Sequence, residues 1–169
     1  MLVADTAQIA SWLDDMAKAL TTELGDRVAQ TRVVGIRTGG VAIAKALHER
    51  LGCQSPLGEL NINFYRDDFS RTGVNPNVGP SSLPATIDDQ TVLLVDDVLF
   101  SGRTIRAALN EIFDFGRPSR VVLAVLVSRG GRELPVQADV TGHHFDLPHA
   151  HHLKLATDPM TLRKLDSRP

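Results

Sequence analysis

Apolar residues recur at helical spacing over 6–24, where Ile9, Leu13, Met16, Leu20 and Leu24 share one face. Thr6 as N-cap and Gly25 as stop bound this predicted amphipathic helix, which packs on the body or serves assembly. Arg32 to Ile36 (R-V-V-G-I) reads as a short buried strand. The turn Arg37-Thr38-Gly39-Gly40 follows, then a helix to about Leu51 with Ile43, Leu47 and Leu51 on one face. Leu60, Ile62 and Phe64 alternate with Asn61 and Asn63, the signature of a half-buried strand ending at Tyr65. Residues 66–90 lose all periodicity and are rich in Pro, Gly, Ser, Asn and Asp, which predicts a long loop. A strand at 91–95, a helix at 102–115 closed by Gly116 and Pro118, and a strand at 120–127 complete the pattern. Buried strands alternating with amphipathic helices predict an α/β fold with a mostly parallel sheet. Neither a repeat nor a linker divides the chain, so one domain is expected over 1–169.

Composition changes this picture little. The length of 169 residues suits a single domain with a real core. Eighteen basic against twenty acidic residues leave a net charge of -2, so nothing global demands nucleic acid or an anionic membrane. The single cysteine, Cys53, excludes an intrachain disulfide and fits a reducing cytoplasm. No apolar stretch reaches the length of a membrane span, and a soluble cytoplasmic protein is expected. His143, His144, His149, His151 and His152 have no Cys or carboxylate nearby at a structural-zinc spacing and read as a solvated, pH-sensitive surface.

The chemistry concentrates at 92–104, V-L-L-V-D-D-V-L-F-S-G-R-T. A buried strand ends in Asp96 and Asp97, and Ser101-Gly102-Arg103-Thr104 opens a helix. Free N–H groups at such a helix start attract phosphate, while the paired acids suit sugar hydroxyls or a hydrated divalent cation. Segments 37–40, 65–68, 96–104 and 128–132 all follow predicted strands, which in a parallel sheet places them at one ligand-binding edge. The glycines of 37–40 permit a second anion cradle. Arg66 opens the long loop within Tyr65-Arg66-Asp67-Asp68 and reaches toward an anion or pairs with the adjacent acids. The loop suits a lid that shields a cation-like transition state from water.

Segment 92–104 resembles the 5-phosphoribosyl-1-pyrophosphate (PRPP) motif of type I phosphoribosyltransferases. V-G-I-R-T-G-G-V-A-I-A-K-A-L (34–47), G-E-L-N-I-N-F-Y-R-D-D-F-S (58–70) and D-F-G-R-P-S-R-V-V-L-A-V-L-V-S-R-G-G-R-E-L-P-V-Q-A-D (114–139) extend the resemblance to the PyrR family. Its members are pyrimidine-operon regulators that can also be uracil phosphoribosyltransferases. Y-R-D-D and R-G-G-R-E-L-P are its most diagnostic pieces. The resemblance implies a type I phosphoribosyltransferase fold, with a flexible lid over about 66–90 and a small hood from the chain termini and 128–150. It also implies transfer from PRPP to uracil, giving UMP and pyrophosphate with Mg²⁺.

By the same resemblance, Asp96 and Asp97 hold the ribose hydroxyls and, through water or those hydroxyls, the metal. Val98, Leu99, Phe100, Ser101, Gly102, Arg103 and Thr104 bind PRPP, and Arg37, Thr38, Gly39 and Gly40 contact pyrophosphate, helped by Arg66. Val127 and Arg129 frame the base. Phe100 stands where purine transferases use an acid, which speaks against a purine. Ser128 replaces a common Asp, and Gly39 stands where many relatives carry Arg. Implied partners are UMP and other uridine nucleotides, an mRNA leader read by Lys18, Arg132, His143 and Lys154, and a second or further copies in a homodimer or homotetramer. Gln137 and Gly131 replace a basic residue and a His of the RNA-binding relatives. The alternative is a UMP/UTP-sensing RNA-binding attenuation regulator with little catalysis on the same scaffold.

Overall fold

The continuous apolar runs predict buried strands, and the computed structural model, which describes residues 1–62 and 80–166, places them at the centre of a sheet. The elements are β1 (Leu2–Ala4), α1 (Thr6–Leu24), a 3-10 segment (Gly25–Gln30), β2 (Arg32–Ile36), α2 (Gly39–Leu51) and β3 (Gly58–Leu60). β4 (Thr91–Leu99), α3 (Arg103–Phe115), β5 (Arg120–Arg129), β6 (Val140–Phe145), β7 (His151–Thr157) and β8 (Met160–Asp166) follow. The main sheet has five strands in the order β3-β2-β4-β5-β6, every pair parallel.

α1 and α2 cover one face, packing Ile9, Leu13, Leu20, Ile43 and Leu47 on Val33, Leu93 and Val95. α3 covers the other with Ile105, Ala108 and Ile112 against Val34, Leu94 and Val125. The chain termini form a second, antiparallel sheet, β1-β8-β7. Its Ala4, Leu155 and Leu162 join the α1/α2 core, so the two sheets share one interior.

Several expectations change. The N-cap of α1 is Asp5, not Thr6: Asp5 Oδ1 accepts from the Gln8 amide at 2.9 Å, and Gln8 Oε1 accepts from the Asp5 amide at 3.2 Å. That reciprocal pair satisfies two donors at once. Thr6 instead donates its hydroxyl to the Met160 carbonyl at 2.9 Å, tying the helix start to β8. The apolar stripe of α1 is wholly buried in the chain's own core, so it leaves no exposed face to drive assembly. β4 and β5 run to Leu99 and Arg129, past their predicted ends, which makes Asp96, Asp97 and Ser128 strand residues. The strand expected to reach Tyr65 spans only Gly58–Leu60, and Leu60, Asn61 and Ile62 are all buried rather than alternating. From residue 63 onward the expected strand, with the Tyr65-Arg66-Asp67-Asp68 segment, lies outside the described residues.

Of the expected lid, residues up to 79 also lie outside the described ones. The stretch 80–90 belongs to the body. Ser82 exchanges two backbone hydrogen bonds of 2.8 Å with Glu59, Leu83 packs on Gly58, and Ile87 is buried in the α3-side core. β6 has no counterpart among the predicted elements because Thr141, His143 and His144 break any apolar alternation along it. No helix among the described residues is long and apolar enough to cross a membrane.

Asp5→Ala removes the cap acceptor of α1. It is expected to lower stability by about 1 kcal/mol, read as a reduced urea midpoint at unchanged m-value.

Candidate active site

From β2 the chain moves outward to β3, then returns to β4 on the opposite side of β2. The connections therefore reverse between β2 and β4, where an open parallel sheet leaves a crevice at its C-terminal edge. Gly35 pairs with Val95 in register, so the 37–40 turn comes to lie beside Asp96 and Asp97. The approach leaves no room for side chains. A Cβ on Gly40 would lie 2.7 Å from the Val95 carbonyl oxygen and 3.1 Å from Asp96 Oδ1. One on Gly39 would lie 2.6 Å from Asp97 Cγ. A cis peptide joins Arg37 to Thr38. Arg37 Nε donates to Glu59 of β3 at 2.9 Å, a partner that no sequence motif marks. Asp96 is buried and its Oδ1 accepts from the Asp97 amide, while Asp97 Oδ1 accepts from the Val98 amide, both at 2.9 Å.

The second anion cradle is the turn before α3. Gly102 caps that helix at φ 93, a left-handed conformation suited to glycine, and places no side-chain bond on it. Ser101 Oγ accepts from the Arg103 amide at 3.2 Å. The remaining N–H groups of the first turn are disposed to hold a phosphate.

Residues 128–136 brace this turn from behind. The amides of Glu133 and Leu134 donate to the Ser101 carbonyl at 2.9 and 3.0 Å, and Arg103 Nε meets the Glu133 carboxylate at 2.7 Å. Arg132 donates to the carbonyls of Phe100, Leu99 (3.4 Å), Arg129 (3.3 Å) and Val136 (2.8 Å), and to Ser128 Oγ at 3.1 Å. Its guanidinium thus locks the end of β4 to the end of β5. Burial lowers the pKa of Arg132 and of Arg129 below arginine's ordinary value, but a guanidinium stays charged.

Arg129 is 2% exposed and donates to the carbonyls of His151, Pro148 (2.9 Å) and Leu147 (3.4 Å). Its Cζ stands 4.2 Å from the centroid of the Phe100 ring, a cation–π contact, and His149 meets the same ring edge-on at 5.7 Å. Arg129 therefore frames the site by fixing Phe100 and the 147–151 segment, and is not an open donor for a base edge. Val127, expected at the base, is a core residue with no exposure, paired to Val98 and His143. Leu99 likewise faces the core on the α3 side.

The structure thus gathers Arg37, Thr38, Gly39, Gly40, Asp96, Asp97 and the Phe100–Thr104 turn at one edge. Arg66 lies outside the described residues. Sequence reasoning gives no role to Glu59 or His149, and reads Arg132 as an RNA contact. The three-residue spacing of Arg129 and Arg132 in R-G-G-R is the available signal, though only the fold shows both turned inward. The histidines disperse: His143 stacks on Trp12 at 4.7 Å, while His151 Nδ1 lies 2.7 Å from Asp166.

Among the described residues no group of three or more His, Cys, Asp or Glu could hold a metal. A cation at Asp96 and Asp97 would have hard carboxylate oxygens and draw its other ligands from water and substrate. That donor set fits Mg²⁺.

Arg132→Ala leaves the Phe100 and Val136 carbonyls without this donor. We expect a loss of about 3 kcal/mol in urea unfolding, with Arg132→Lys recovering part of it.

Residues 5–150 match the family described as the phosphoribosyl transferase domain. The chain is 51% identical over 156 residues to the bifunctional protein PyrR of Nitrosococcus oceani, covering 88% of each chain. It is 49% identical over 162 residues to that of Pseudomonas entomophila, covering 95% of this chain and 94% of the relative. Among solved structures, the hypoxanthine phosphoribosyltransferase of Trypanosoma cruzi superposes with a TM-score of 0.69 at 16% identity, over 99% of this chain and 97% of that one. A hypoxanthine-guanine phosphoribosyltransferase of Bacillus anthracis gives 0.68 at 14% identity, over 86% and 82%. At such identities the structural likeness speaks for the fold alone. The switch-point crevice with its two anion cradles, the domain match and the half-identical relatives lead to one conclusion: this chain is a phosphoribosyltransferase and belongs to the PyrR family.

Proposed function

We propose that the crevice between β2 and β4 transfers the phosphoribosyl group of PRPP to uracil, with Mg²⁺ as cofactor. The observation that carries this reading is the meeting of the acid pair Asp96/Asp97 with the Gly39-Gly40 turn, beside the start of α3, whose N-cap Gly102 brings no side chain. PRPP has three polar parts, and each finds matching chemistry there. Ser101 to Thr104 take the 5′-phosphate, Asp96 and Asp97 the ribose diol, and Arg37 to Gly40 the pyrophosphate, with Arg66 as a further contact by the family resemblance.

In the reaction the bond from C1′ to the pyrophosphate oxygen breaks as C1′ bonds to N1 of uracil, and the N1 proton leaves to pyrophosphate or solvent. Positive charge develops on the ribose. Asp96 and Asp97 orient its hydroxyls and oppose that charge, which is positioning and electrostatic catalysis rather than proton transfer by a dedicated base. Asp96 and Asp97 would hold Mg²⁺ through water or ribose hydroxyls, and the ion would supply neutralising charge for the departing diphosphate. Uracil rather than a purine is supported by Phe100, an aromatic clamped between Arg129 and His149 where purine enzymes would place an acid. The backbone from Arg129 to Gly131 frames the base.

A regulatory activity on the same scaffold is favoured by the name of the relatives, which describes them as bifunctional. UMP and other uridine nucleotides would be its signals and an mRNA leader its target. Arg132 commits its donors to the protein, so Lys18, His143 and Lys154 remain as the RNA-facing residues of that reading. We place the protein in the cytoplasm as a single domain, self-associating as a dimer or tetramer.

Purified protein with uracil, PRPP and Mg²⁺ is expected to form UMP, and Asp97→Asn to lower kcat/KM by roughly 10²-fold or more. Absence of turnover with PRPP binding intact would favour the regulator.

A further inference from the structure

Gly39 opens α2, and its N-cap Thr38 places no side-chain hydrogen bond on the helix. Such an end favours an anion through its unpaired N–H groups and the helix dipole. The anion standing beside it is the protein's own. The Asp97 carboxylate lies so close to Gly39 that a Cβ there would fall 2.6 Å from Cγ, with Oδ2 nearer still. The other oxygen is held by the Val98 amide at 2.9 Å. Asp96 borders Gly40 in the same way, and Arg37, the sole charged residue of the turn, is engaged by Glu59 at 2.9 Å.

We infer that Asp97, seated over Gly39, bars metal-free diphosphate from the 37–40 turn, and that position 39 thereby sets the selectivity for cation-bound diphosphate. The inference rests on the assignment of pyrophosphate to that turn. A diphosphate entering without a cation meets a carboxylate at contact distance, and like charges this close repel strongly where water is partly excluded. A cation carried with the diphosphate turns the same carboxylate into a ligand. Gly39 is the permissive element. Its φ lies outside the left-handed region, so alanine fits the backbone. The nearest neighbours of the alanine methyl would all be side-chain atoms of Asp97, the carboxylate closest and Cβ at 3.1 Å, so the carboxylate is what must shift. At Gly40, by contrast, a Cβ would strike the Val95 backbone carbonyl at 2.7 Å, so position 40 cannot serve as the probe.

The test is calorimetric titration of inorganic pyrophosphate into the wild type, Gly39→Ala and Asp97→Asn, each in EDTA and in excess Mg²⁺, with thermal unfolding to verify the fold. Asp97→Asn preserves the acceptor for the Val98 amide while removing the charge, and Gly39→Ala preserves the charge while moving it. In EDTA both variants are expected to bind pyrophosphate about tenfold or more tighter than wild type. In Mg²⁺ the wild type binds and the advantage of both variants shrinks or reverses. Equal metal-free affinity in all three proteins overturns the inference while leaving the site assignment standing. A gain in Asp97→Asn alone, with Gly39→Ala folded, also overturns it by removing position 39 from the effect. If no form binds pyrophosphate even with Mg²⁺, the assignment of the turn itself falls.

Discussion

The close approach of α2 to the paired strands β2 and β4 is the constraint on which the site depends. A Cβ on Gly35 would lie 2.8 Å from Ala44 Cβ and from Val41 Cα, and one on Gly40 would meet the Val95 carbonyl. Only hydrogen fits at either position. That contact sets the height of the α2 N-terminus above the sheet. It also brings a positive helix end against two carboxylates that the β2/β4 register delivers from a distant part of the chain. The helix dipole and the acid pair are opposite in sign and come into close contact at Gly39 and Gly40.

A second tie acts from the other side. Arg129 and Arg132 leave the end of β5 in different directions. Arg132 gathers the carbonyls that close β4 and β5, and Arg129 gathers those of 147–151 beneath the Phe100 ring. Arg129 is buried and Arg132 half-buried, and each faces several carbonyl oxygens, which compensates desolvation as an unpaired buried charge cannot be compensated. The result is mechanical continuity. The phosphate turn, the end of the central strand and the segment leading into β7 form one hydrogen-bonded unit. His149 and Phe100 meet at its centre.

Much of this is legible in the chain where local chemistry and local geometry coincide. The runs Val92–Val95 and Val121–Val127 read as buried strands because an unbroken apolar run must be kept from water on both faces. Both runs are also too short to be buried helices. The Ser101-Gly102 turn reads as an anion cradle because a glycine and a hydroxyl at a helix start have a direct stereochemical meaning. Strand ends are less legible. Asp96, Asp97 and Ser128 are polar, and periodicity stops at the first polar residue even though the ladder continues beneath it. Val127 and Arg129 exchange their expected characters for a related reason. A residue's type does not reveal which way the strand turns it, and here the charge points inward onto carbonyls while the valine fills the core.

The sequence by itself determined the α/β alternation, the two glycine-bearing turns and the acid pair, since each is encoded within a few consecutive residues by period, glycine placement and charge. It also carried the family, through motifs spread over nearly the whole chain. Only the tertiary structure decided what those segments do to one another. The order β3-β2-β4 placed the reversal of the sheet between the glycine turn and the acids. The joining of β1 to β8 made one core of the two chain ends. The seating of Asp97 over Gly39 made two separate motifs into a single electrostatic unit. These are relations between residues far apart in the chain, set by packing and register, and no local pattern encodes them.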